Sequence, residues 1–162
     1  AYALEQPYVK RAVAVDQFDH DGGNSPGDDD GFLTVYVYGA GAALTAEQKD
    51  GLEQAMQAQC ASILTMTVEH ATPVSVNVTA AITKATGYDT DELESAIEDA
   101  LAAVWSWQTS GFGADVEPLD VQAVIEAVPG VDSVTSLTLP STTAAVAFDE
   151  FAVLGTVALT IT

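Results

Sequence analysis

Side chains able to do chemistry are plentiful in this chain, but few stand at a spacing that names a reaction. The densest set is the acidic run from Asp19 through Asp21 and Asn24 to Asp28, Asp29 and Asp30. Its alternating aspartates suggest a calcium loop, yet such a loop needs glycine at its sixth position and glutamate at its twelfth. This sequence has Asn24 and Asp30 there. Asp19, Asp21, Asp28 and Asp30 are the metal candidates, for Ca²⁺ or K⁺, and a solvated acidic turn is the simpler reading. His20 in the same loop and His70 further on have neither a nucleophile nor a ligand partner at an informative distance. Cys60 is the only cysteine, so no intrachain disulfide can form. It falls in a helical run, Ala55 to Ala61, with no electropositive neighbour to make a thiolate, and reads as a small packing residue. There is no Gly-x-Ser-x-Gly elbow, phosphate-binding loop or dinucleotide fingerprint. Paired carboxylates could in principle cut glycosides, but they are so dense here that proximity carries no specificity. Asn77-Val-Thr79 matches a glycosylation sequon, inside a stretch that reads as a strand. The expectation is a protein that is not an enzyme and holds no cofactor.

Charge sets the next bound. Asp and Glu number 24 against four Lys and Arg, a net charge of −20. Phosphate-backbone binding needs clustered cations, so no nucleic acid partner is expected, and no anionic membrane surface either. No run approaches the roughly 18 apolar residues of a membrane span. The N-terminal residues, Ala1-Tyr-Ala-Leu-Glu5, do not read as a signal peptide; with no initiator Met, they suggest a processed chain or a piece of a longer one. A surface this acidic repels itself in dilute buffer, whereas at 1 M salt the Debye length falls to about 3 Å. Lysine poverty with abundant Asp, Glu, Ala, Val and Thr suggests a halophilic, haloarchaeal setting.

The elements that must position these side chains alternate in type. Residues 8–18 and 32–38 read as two strands of an antiparallel hairpin, joined by the loop at 19–31. Thr45-Ala-Glu-Gln48 is a capping box that opens a helix, with Leu52, Ala55, Met56 and Ala58 to Cys60 as its apolar stripe. Strands follow at 63–68 and 74–82, the second alternating Val74, Val76, Val78 and Ala80 with Ser75, Asn77 and Thr79. Asp89 caps a long helix over 90–108, striped by Leu93, Ala96, Ile97, Ala100, Leu101, Val104 and Trp105, and closed by Gly111-Phe-Gly113. Trp105 belongs to that stripe and so to the core. Trp107 points elsewhere, although the two indoles together could also form a carbohydrate platform. A short helix over 119–128 ends at Pro129-Gly130. Strands at 134–139 and 153–161 finish the chain. The fold class is α+β: two small lobes, each a mostly antiparallel sheet with helices packed on one face. The N-terminal lobe is expected over 1–70 and the C-terminal lobe over 71–162.

One ordered set of motifs is more informative. It runs from the strand Val74-Ser-Val-Asn-Val-Thr79 through the long helix to Gly111-Phe-Gly113. Then come Asp115-Val-Glu-Pro-Leu-Asp-Val-Gln-Ala-Val-Ile-Glu-Ala-Val-Pro-Gly-Val131 and the strand Val134 to Leu139, with Phe151-Ala-Val-Leu-Gly155 near the end. This resembles the C-terminal part of the baseplate J-like family of contractile-tail phages and related injection machines. The earlier strands and the Leu44-Thr-Ala-Glu-Gln48 helix start are similar to the preceding family region, although family members usually carry a further N-terminal region. The resemblance implies a structural, wedge-type component of a tail baseplate. It would assemble around the central hub in a ring of copies with other baseplate and tail proteins, and link the tube to peripheral parts. Its location would be the virion tail, assembled in the host cytoplasm. It carries over no catalytic residue. Tyr36 and Tyr38, Trp107, and Val131 and Phe148 of the 131–150 segment are the candidate interface residues; Trp and Tyr are common interface anchors. The alternative is a cell-surface or secreted adhesion module of a halophile.

Overall fold

The computed structural model describes residues 2–16, 18, 19, 25–27, 30–59 and 64–162. The chain divides into two compact units, Ala1–Thr72 and Pro73–Thr162.

In the first unit a short helix, α1 (Tyr2–Glu5), precedes β1 (Arg11–Asp16) and β2 (Phe32–Tyr38); α2 (Ala46–Gln57) and β3 (Thr65–His70) follow. The sheet order is β1-β2-β3. β1 and β2 are antiparallel, pairing Arg11 with Tyr38 and Asp16 with Leu33. β3 runs parallel to β2, with Val35 opposite Val68. The crossover that parallel pairing requires is supplied by α2. The Thr45 capping box forms: its hydroxyl accepts the Gln48 N–H, and the Gln48 side chain accepts the Thr45 N–H at 2.9 Å. Val35, Val37, Met66 and Val68 bury one sheet face with Leu44 and Leu52. The opposite side of β2 is buried as well: Thr34 is 1% exposed, and its hydroxyl donates to Phe18 O at 2.7 Å.

The second unit contains β4 (Thr72–Lys84), α3 (Thr90–Val104), α4 (Pro118–Glu126), β5 (Val131–Leu139) and β6 (Glu150–Ile161). Its sheet order is β5-β4-β6. β5 is antiparallel to β4, with register shifts at three places. β6 is parallel to β4: Thr156 N–H donates to Asn77 Oδ1, and further on Thr162 N–H donates to Ile82 O, so the pairs advance together. Val76, Val78, Ala80 and Ile82 on one face of β4 bury against Leu93, Ile97 and Leu101 of α3 and Val121 and Ile125 of α4. The Asp89 carboxylate caps α3, accepting from Asp91 and Glu92 N–H at 2.9 and 3.2 Å.

The α+β class and the two lobes stand. Each sheet proves to be mixed, with one antiparallel and one parallel pair, where the sequence led to mostly antiparallel pairing. The hydrophobic pattern of a strand is the same in either direction; the direction follows from the connection. α3 also stops at Val104, not 108. The Thr109 hydroxyl donates to the Val104 carbonyl at 2.8 Å and pairs with Ser106 Oγ, so local side-chain bonds replace the helical ladder there.

Candidate interaction surfaces

The expected site residues scatter. Asp19 is half-buried and Asp30 exposed, while Asp21, Asp28, His20 and Cys60 lie outside the described residues. Among the described residues no group of three or more His, Cys, Asp and Glu is placed to hold a metal ion. His70, at the end of β3, is half-buried, with a buried Nδ1 that has no hydrogen-bond partner among the described residues. Of the five interface candidates, Tyr36 is 1% and Tyr38 7% exposed, Trp107 and Val131 are half-buried, and Phe148 is 38% exposed. Trp105 lies in the second unit's core with Ile97 and Leu101. Arg11 is partly buried, and that desolvation lowers its pKa from the ordinary value.

Two features escape sequence reasoning because they are made between elements. The first is the outer edge of β3. A row of α2 side chains at four-residue spacing, Lys49, Glu53 and Gln57, faces it. Gln57 Nε2 donates to Leu64 O and its Oε1 accepts from Met66 N–H, both at 2.7 Å. The Glu53 carboxylate accepts from Val68 N–H at 2.9 Å. Lys49 Nζ meets both oxygens of Glu69, at 3.0 and 3.1 Å. Side chains thus occupy the backbone groups that would otherwise recruit a foreign strand. The spacing of these three residues was visible; what it faced was not.

The second is an apolar groove of about 420 Å³ between α3 and α4, lined by Ala96, Ala100, Val104, Val124, Ala127, Val128 and Pro129. Val104 is 41% exposed there, although its spacing places it on the core stripe. Further apolar surface stands at Leu119, 75% exposed, and at Leu139, 42% exposed. Leu119 could have been found from the helical wheel, since it lies off the Val121, Val124, Ile125 and Val128 stripe.

Two mixed sheets carrying their own helices, with a guarded strand edge and an apolar groove, define a small two-lobed α+β protein. The family model for the baseplate J-like protein C-terminal domain matches residues 76–160, just over half the chain and most of the second unit. The chain belongs to the baseplate J-like family, and the match bears out the resemblance read from Val74 to Gly155. In structure it is similar to a chain of the anti-feeding prophage baseplate, solved by cryo-EM and six-fold symmetrised. The TM-score is 0.64 at 17% identity, over 94% of this chain and 35% of that one. At that identity the likeness is one of fold. This chain spans about a third of the matched chain's length. No curated protein matches it.

Proposed function

We propose that the chain is a structural, non-enzymatic part of a phage-type tail baseplate. In this reading it is a wedge-type block that packs beside copies of itself around the central hub and links the tube to peripheral proteins in the virion. We further read it as the product of a halophilic, haloarchaeal virus, assembled in the host cytoplasm, with the lobes 1–70 and 71–162 as separate domains. The observation that carries the baseplate reading is the family match over residues 76–160. The fold agrees with it along nearly the whole chain. The net charge of −20 supports the salt-rich setting. Purified tailed particles provide the test. Mass spectrometry should find the chain in them, and a cryo-EM map should place its two lobes in a ring about the tail axis. Particles that lack it, or that carry it outside the baseplate, overturn the reading.

A further inference from the structure

The groove between α3 and α4 has a polarity that limits what can fill it. Its walls are small: Ala96, Ala100 and Val104 rise on α3 at four-residue steps, and Val124, Ala127 and Pro129 form the other side. Alanines at that spacing let another backbone approach closely. From Ala96 to Val104 is about 12 Å of helix axis, the length of two turns.

The two helices run in opposite directions, because Tyr88, just before α3, lies where a Cβ on Gly130, just after α4, would sit. Glu92 stands one turn before Ala96 on α3, and Asp120 one turn before Val124 on α4; both are exposed. The antiparallel arrangement therefore puts one carboxylate beyond each end of the apolar stretch. Neither helix contains a Lys or Arg. A second copy seated here would bring carboxylate against carboxylate.

We propose that this groove docks a short amphipathic helix of a different protein, with two turns of apolar side chains and a Lys or Arg one turn beyond each end. The inference does not rest on the baseplate reading. Absence of the chain from tail particles would sink that reading and leave the groove's chemistry standing, and an inert groove would leave the reading intact.

The probe is a synthetic helix with Leu at i, i+3 and i+7 and Lys at both ends, titrated into the full ¹⁵N-labelled chain at the lowest salt that keeps it folded. Amide shifts should concentrate at 96–104 and 124–129. Val104→Glu should weaken binding at least tenfold. The pair Glu92→Gln/Asp120→Asn should remove most of the salt dependence. Where Val104→Glu fails to fold, Ala96→Glu, at an exposed position, reads the same loss. Three results overturn the proposal: shifts spread over the acidic surface, equal binding of a peptide with the same composition but scrambled apolar spacing, or folded groove variants that bind unchanged. Concentration-dependent shifts at these residues without peptide would make the occupant a second copy and overturn it too.

Discussion

The Gln57 amide stands where a fourth strand would stand beside Met66, accepting the Met66 N–H through Oε1 at 2.7 Å. Its Nε2 reaches the Leu64 carbonyl, and Glu53, one turn earlier, takes the Val68 N–H. Gln57→Ala strips both of its bonds and leaves part-buried backbone groups without a protein partner. An unsatisfied group of this kind costs about 1–3 kcal/mol, and that loss should appear as a lower urea midpoint with an unchanged slope. The exposed edge should also template pairing between chains. Light scattering at raised concentration should therefore grow faster for the variant than for the parent. An unaltered midpoint and unaltered scattering would show that water replaces the amide without loss.

Gly155 and Asn77 form a second paired device. Asn77 Oδ1 accepts the Thr156 N–H at 2.8 Å, and a Cβ on Gly155 would overlap that oxygen and crowd the Val76 carbonyl at 3.2 Å. Gly155→Ala should displace the amide and destabilise the second unit by about 1–3 kcal/mol. Asn77→Ala should cost about 1 kcal/mol for the lost bond. The double variant should cost less than the sum, because removing Asn77 also removes the obstacle. A double-mutant cycle by thermal or chemical denaturation measures the coupling, and strict additivity would contradict the geometry.

Burial separates two leucines on neighbouring helices. Leu101 is fully buried against the β4 face, whereas Leu119 is 75% exposed. Leu101→Ala should cost about 2–5 kcal/mol through lost transfer energy and a residual cavity. Leu119→Ala should stay within about 0.5 kcal/mol in the isolated chain. If Leu119 lies at a contact with another baseplate protein, its replacement should instead lower incorporation into particles. Denaturation of the pure protein and quantification in particles separate the two effects.

What was legible in the sequence is what local chemistry dictates. The Thr45 and Asp89 caps, the period-two burial of Val76, Val78, Ala80 and Ile82, and the stop at Pro129-Gly130 all depend on residues close in the chain. α1 was not legible, because four residues carry no periodicity. The parallel partners of β2 and β4 were hidden because strand direction is set by connections. The candidate surface was the least legible part. Tyr36 and Tyr38 have the side chains of interface anchors, yet they are buried in the chain itself, since β2 is covered on both faces. The Lys49, Glu53 and Gln57 row gains its meaning only from the edge it covers. The α3–α4 groove is lined by two separate segments, Ala96 to Val104 and Val124 to Pro129, so no local pattern reveals it.

Salt should govern stability more than any single contact. With 24 acidic side chains and four cations, repulsion acts over about 10 Å at 0.1 M salt and about 3 Å at 1 M. The melting temperature should therefore rise from millimolar to molar KCl. Part of that rise can be assigned to α3, where Glu94 and Glu98 stand one turn apart as a like-charge pair. Such pairs cost about 0.2–0.5 kcal/mol, and opposite charges at the same spacing contribute a similar gain. Glu98→Lys should thus stabilise the chain by roughly 0.5–1 kcal/mol in dilute buffer, with Glu94 placed N-terminal to the new lysine. In molar KCl the gain should vanish, because screening removes both the repulsion and the new attraction. Melting curves of parent and variant across a KCl series test both statements together. A parent curve that is flat in salt would refute the screened-repulsion account of this surface. A variant gain that persists undiminished at 1 M would show that packing, and not charge, distinguishes the two side chains.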